Sequence, residues 1–199
     1  MTGDWLGENR GQRAAERILD AAGRVFLRHG VAAADMADIA AEAGCSRATL
    51  YRYFDNRQAL RIAYMHREAR RVAAQVLAEV ADHPTPSARV TGAVLAAVRI
   101  VRETPVLAAW FVPEGSGATA GMAGASDVIA SLCGTFLPAD DAAAGKARWM
   151  VRVVVSLLAM PGRDADDERA MVEAFVTPVL LDAPAIPVTT DPEVETSRR

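Results

Sequence analysis

Between residues 36 and 53 two stretches of helical pattern stand on either side of a single glycine, Gly44. Each is too short to persist as a helix alone, because isolated helices under about 12–15 residues are marginal in water. Both must therefore be held by an inner face. The first offers Ile39, Ala40 and Ala43, and the second offers Leu50 and Phe54, four residues apart. Asp35 suits the N-cap of the first, with Asp38 in its first turn near the positive dipole end. Ser46 suits the N-cap of the second. The second stretch, "CSRATLYRYFDNRQAL", then spends Arg47, Thr49, Tyr51, Arg52 and Tyr53 on its outer side. A short helix carrying that many hydrogen-bonding groups outward is built to bind something polar.

The rest of the chain is also patterned for helices. Period-two β-branched runs are nearly absent, and the fold class expected is all-α with about nine helices. Residues 1–9 are expected to be a loose arm. A first helix over 11–29 places Ile18, Ala22, Val25 and Phe26 on one face and ends at Gly30. Asp55, with Gln58 three residues on, is expected to cap a long fourth helix that Pro84 and Pro86 stop. Further helices are expected over 87–103, 105–111, 126–136, 142–160 and 166–181, with Pro178 kinking or ending the last. The stretch "VPEGSGATAGMAGA", 112–125, is expected to be a glycine-rich loop. The domains expected are a head over 10–55, a helical body over 56–182, and a disordered polar tail over 183–199.

Charge divides the same way. The net charge is −3, yet residues 10–71 hold 12 arginines against 7 acids, while the remainder holds 10 basic against 18 acidic residues. A basic N-terminal third on an acidic body points to one anion-binding module; chance clustering on a solvated face is the plainer alternative. Cys45 and Cys133 stand alone, without metal-ligand spacing, and fit buried thiols in a reducing compartment. The start has no apolar signal core, and the most apolar run, 151–160, is about half the length a bilayer requires and contains Arg152. A cytoplasmic location follows as the expectation. No nucleophile–base pair, metal spacing or phosphate loop is evident, so neither an enzyme nor a cofactor is expected.

Two short helices about a tight turn have the size of a helix-turn-helix, whose second helix enters the DNA major groove N-terminus first. Arginine forks onto guanine O6 and N7. Threonine and tyrosine hydroxyls bond phosphate and fix register. The segments "ILDAAGRVFLRHG", "DIAAEAGCSRATLYRYF" and "NRQAL" resemble the TetR-type transcriptional repressors over about residues 11–65. By that resemblance Arg47 and Ala48 meet base edges. Thr49, Tyr51 and Tyr53 meet phosphate, Tyr51 reaching a base in some members. Arg57 takes the phosphate position at the start of the fourth helix, and Gly44 and Ser46 set turn and cap. Arg52 is a further candidate. Plainer alternatives are packing for Tyr51 and Tyr53, solvation for Arg52, and a solvated arm for Arg10 and Arg13. Ala34 and Asp35 depart from the family's usual threonines, and Asp35 is repelled by phosphate. Ala37 leaves base reading to the third helix, and Cys45 replaces the usual valine.

The resemblance also implies a switch: an effector in a cavity of the helical body moves the fourth helix and separates two DNA-reading heads. The expected partners are a palindromic duplex, a mostly apolar small molecule, and a second copy of the chain paired through the last two helices. Met65, His66, Arg99, Trp110, Phe111 and Trp149 are the expected ligand-binding residues, with Met122, Cys133 and Arg152 as further candidates; ordinary core or surface is the alternative for each. Two other functions remain open: a ligand-binding or enzymatic protein with a vestigial head, and a DNA-binding protein without an effector. A roomy, closed, apolar cavity favours the switch over the latter, and a collapsed pocket the reverse.

Overall fold

The structure is a computed structural model that describes residues 5–111 and 116–181, with side chains over 11–111 and 117–181. The described residues form ten helices and no strand. These are α1 (Trp5–His29), α2 (Met36–Ala43), α3 (Arg47–Tyr53), α4 (Arg57–Val80), α5 (Pro86–Glu103), α6 (Pro105–Ala108), α7 (Ser116–Gly124), α8 (Asp127–Gly134), α9 (Ala143–Ala159) and α10, which runs from Ala165–Met171 through a π turn, Val172–Val176, to Thr177–Leu181. The all-α expectation holds.

Two apolar cores organise them. In the first, Ile18, Ala22, Val25 and Phe26 of α1 close over Ile39 and Ala40 of α2, Leu50 of α3, and Leu60 and Tyr64 of α4. In the second, Val76 and Val80 of α4 pack with Val90, Val94 and Val98 of α5, Met150 and Leu157 of α9, and Val172 and Leu180 of α10. α4 thus contributes to both. At its middle sits an aromatic trio. Phe26 meets Tyr64 edge-on at 5.1 Å and Trp110 edge-on at 5.4 Å, while Tyr64 and Trp110 stack at 5.8 Å. Burial of its ring pushes the Tyr64 phenol up to about 12. Arg67 adds a polar clamp. Its guanidinium, buried under the Tyr64 ring, bonds Glu16 and Asp20 of α1 at 3.1 and 2.8 Å and also Glu68. Three carboxylates and a ring face compensate the desolvated charge.

Several boundaries differ from the expectation. α1 begins at Trp5, so residues 5–9 are helical rather than a loose arm. Propagation adds one hydrogen bond per residue once a docked helix exists, and nothing before Gly11 forbids it. The cap of α4 is Asn56, not Asp55: Asn56 Oδ1 accepts from Ala59 N–H at 2.8 Å. Pro86, expected to stop α4, instead starts α5 behind the Thr85 cap, where its missing N–H costs nothing. The glycine-rich stretch is helical over Ser116–Gly124. Each helical glycine costs about 1 kcal/mol relative to alanine. Tertiary burial offsets it: Ala123 and Thr119 are buried, and the Thr119 hydroxyl donates to the Trp110 carbonyl at 2.8 Å. Residues 112–115 of that stretch and the 183–199 tail lie outside the described residues. Pro178 neither ends nor breaks the last helix. The π turn one residue before it shifts the Thr177 N–H onto the Val172 carbonyl, which accommodates the proline ring.

Glu168 ties the body together. Its carboxylate accepts two bonds from Arg102 of α5, at 2.7 and 2.8 Å, and one from Gly162 N–H at 2.8 Å. A Cβ on Gly162 would stand 2.6 Å from Glu168 Cγ, so only glycine fits that approach. The Arg102 bonds hold the Glu168 carboxyl below its ordinary 4.5, although burial alone would raise it. A depressed folded pKa contributes stability that is present above pH 4.5 and lost as pH falls through the folded value. Glu168→Gln is therefore expected to cost roughly 1–3 kcal/mol at pH 7. That difference from wild type should shrink as chemical denaturation is repeated from pH 5 downward. A gap independent of pH would remove the ion pair from the account.

Candidate nucleic-acid interface and effector cavity

The polar outer face of α3 is positioned from beneath. Leu50 is fully buried and Phe54 nearly so. Asp35 Oδ1 accepts from the N–H groups of Ala37 and Asp38, both at 2.8 Å. Those bonds, Asp38's first, outweigh desolvation and lower the Asp35 carboxyl; Arg47 and Arg57 pull in the same direction from nearby. Gly44 closes α2 with φ 67° and ψ 35°, a left-handed conformation that glycine adopts without strain. Cys45 N–H returns to the Ala40 carbonyl at 3.0 Å. Ser46 Oγ then accepts from Thr49 N–H at 3.0 Å and meets the Thr49 hydroxyl at 3.0 Å. Glu42 bonds Arg24 and Arg28 and fixes α2 against α1.

On this frame Ser46, Arg47, Ala48, Tyr51 and Arg52 are exposed together, and Thr49 is half-buried beside its cap. Tyr53 is half-buried against the head core, with the Arg52 guanidinium 5.5 Å over its ring. Arg57 is exposed at the start of α4, its Nη1 3.4 and 3.5 Å from the Ala32 and Ala34 carbonyls. Arg13 lies farther back on α1.

Arg61 was not singled out by sequence reasoning. It sits one turn beyond Arg57 and donates to the Val31 and Ala32 carbonyls, fixing the segment between α1 and α2. Its Nε is buried without a partner, and burial followed by the Arg57 charge lowers its pKa. Among the described residues neither arginine has a carboxylate partner, so two cations stand side by side next to α2 and α3. The i, i+4 spacing was the available signal. Arg61→Ala is expected to loosen the 31–34 segment and cost about 1–2 kcal/mol, from the loss of bonds to a charged donor. Thermal denaturation measures this, and an unchanged midpoint would show the carbonyl contacts to be incidental.

The second feature is an apolar cavity of about 160 Å³ between α4, α5, α8 and α9, closed toward the head by α6 and the residues after it. Of the expected ligand-binding residues, Met65, Trp110 and Phe111 line it, as does Cys133. Burial pushes the Cys133 thiol up to about 11, so it is protonated at neutral pH. His66, Arg99 and Trp149 do not line it. His66 faces α8 instead, with Nε2 2.8 Å from Ser126 Oγ, and its pKa is lowered by burial and then by Arg70. Arg99 is spent on Glu79 and Glu103, all at 2.7 Å. Trp149 is 44 % exposed on α9 and Arg152 is exposed one turn on. Met122 packs toward the head core. The wall comes mainly from small apolar residues that sequence reasoning did not name, such as Ala69, Val72 and Ala73 of α4 and Ala97 and Val101 of α5. No three described residues could together hold a metal ion, and no described helix is long and apolar enough to cross a membrane.

Comparison with known proteins agrees with this geometry. A family model described as "Bacterial regulatory proteins, tetR family" matches residues 18–64, which span the head from α1 into α4. An uncharacterized HTH-type transcriptional regulator of Mycobacterium tuberculosis (strain H37Rv) is 48% identical over 187 residues, covering 92% of this chain and 93% of the relative. Among solved structures, the TetR-family repressor QsdR of R. erythropolis aligns with TM-score 0.64 at 18% identity, over 85% of this chain and 95% of its own. The repressor AlkX of Dietzia sp. aligns with TM-score 0.59 at 22% identity, over 83% and 94%. FadR of Bacillus subtilis, solved in complex with stearoyl-CoA, aligns with TM-score 0.54 at 14% identity, over 83% and 97%. The chain belongs to the tetR family of bacterial regulatory proteins and is a helix-turn-helix transcriptional regulator.

Proposed function

We propose that this regulator is a homodimeric repressor released from a palindromic operator by a mostly apolar small molecule. The observation that carries the proposal is the double duty of α4. At its start Leu60 and Tyr64 pack into the core of the DNA-reading head, while Met65, Ala69, Val72 and Val76, on the same helix, wall the cavity. A ligand that expands the cavity pushes on the helix that carries the head. In this reading Arg47 and Ala48 meet bases, Ser46, Thr49, Tyr51 and Tyr53 position the helix on phosphates with Arg52 beside them, and Arg57 adds a further phosphate contact. The head spans 10–55 and the body 56–182. FadR's complex with stearoyl-CoA supports an apolar ligand in this architecture. The dimer forms through α9 and α10, whose exposed Trp149, Met160, Met171, Phe175 and Val179 are too apolar for a free surface.

The switch requires that the ligand prefer the conformation with the wrong head spacing. Reciprocity then makes DNA weaken ligand binding by the same factor. Full-length protein on a bound operator duplex, titrated with apolar compounds, is expected to release DNA, and the same compounds should bind the free protein more tightly than the complex. Compounds that fill the cavity while leaving DNA affinity unchanged would contradict the switch.

A further inference from the structure

Trp110 is 4 % exposed, lines the cavity, and its indole Nε1 is buried with no hydrogen-bond partner among the described residues. A buried donor without an acceptor costs about 1–3 kcal/mol. Such groups are rare enough in folded proteins to call for a cause. The ring itself is held from several sides, by Phe26 at 5.4 Å, by Tyr64 stacked at 5.8 Å, and by the Thr119 bond to its own carbonyl.

The other polar groups of the wall among the described residues are engaged or turned away: the Tyr64 hydroxyl lies against Gly23 of α1, 2.8 Å from where a Cβ there would stand. Glu68 accepts from Arg67 and Arg71, both at 2.9 Å. The Thr119 hydroxyl is given to the Trp110 carbonyl. Cys133 is a neutral thiol. Among the described residues the wall carries no arginine or lysine, and its one carboxylate already has two guanidinium partners. A carboxylate ligand would therefore be desolvated without a counter-charge, and an ammonium would have to displace an arginine.

We infer that the effector is a neutral apolar molecule whose polar anchor is a hydrogen-bond acceptor, such as a ketone, ester or lactone oxygen, taken by the Trp110 indole N–H. The inference rests on the cavity's being the effector site, as proposed above. It adds the chemical class of the ligand and the residue that selects it. The size fits a body near that of one ring, since apolar cavities of about 150 Å³ take up a single aromatic ring. Because Trp110 also stacks on Tyr64 of α4 and meets Phe26 of α1, an acceptor drawn to its N–H acts on the ring that joins cavity and head.

Three probes of matched size separate the possibilities: acetophenone (neutral acceptor), cumene (no acceptor) and benzoate (charged acceptor). Calorimetric titration of the full-length protein without DNA is expected to rank acetophenone about tenfold tighter than cumene, with benzoate weakest. Trp110→Phe keeps an aromatic ring in the trio. It should bring acetophenone to the level of cumene while leaving cumene within about twofold, so that cumene reports an intact cavity. Equal affinities for acetophenone and cumene in the wild type, or a ratio that survives Trp110→Phe, would overturn the inference while leaving the cavity as effector site. Failure of all three probes to bind wild-type protein would overturn the cavity reading, and the inference with it.

Discussion

Phe175→Asp is expected to split the protein into monomers and to lower operator affinity by at least about 100-fold, the scale set by loss of a second tethered site. Phe175 is 73 % exposed on α10, and Met160 is 71 % exposed at the end of α9. Neither side chain packs into the body core among the described residues. A two-fold pairing of α9 and α10 would bury them on both copies at once. A carboxylate at position 175 would be desolvated in such an interface, a cost that disfavours the dimer. Sedimentation should show the monomer, and helical content by circular dichroism should report whether that monomer keeps its fold. A variant that stays dimeric at micromolar concentration would move the interface elsewhere.

Arg47→Ala should leave stability within about 0.5 kcal/mol, since the side chain is exposed and no described residue forms a hydrogen bond or ion pair with it. Affinity for the cognate site should nonetheless fall by roughly 1–3 kcal/mol, with preference relaxed at the contacted base pair. The combination is diagnostic. Losing a phosphate contact, the role proposed for Arg57, weakens all sequences alike and reduces the salt slope, whereas losing a base contact changes which sequence wins. Binding to a panel of single-substituted duplexes at fixed salt distinguishes them. An unaltered ranking would assign Arg47 to the backbone.

The head was legible because its determinants are local. Asp35 and Ser46 cap helices through bonds to N–H groups two or three residues away, and Gly44 takes its turn conformation for reasons confined to itself. Leu50 and Phe54 are buried as their spacing required. Where two local signals competed, as for Asp55 and Asn56, the choice rested on the phase of the whole helix. The 116–124 helix was hidden because its stabilisation is tertiary: propensity disfavours glycine, and only Thr119 and Ala123, seated in the body, reverse it. Arg99 and Arg61 show the limit for charges. Arg99, an expected ligand-binding residue, is exposed and paired with Glu79, twenty residues away. Arg61 drew no notice because its partners are backbone carbonyls, which carry no sequence signature. Much of the cavity wall is alanine and valine, residue types that also fill the core beside it. Sequence periodicity separates inside from outside, but not a packed interior from a hollow one.

The most direct test of the whole account is selection of bound DNA from a random duplex pool by the full-length protein at near-physiological salt. The account predicts a palindrome whose half-sites lie about one helical turn (~34 Å) apart, read by two copies of α3. Folded, dimeric protein that enriches nothing above non-specific binding would contradict it, and the carboxylate of Asp35 between Arg47 and Arg57 would be the first place to seek the reason.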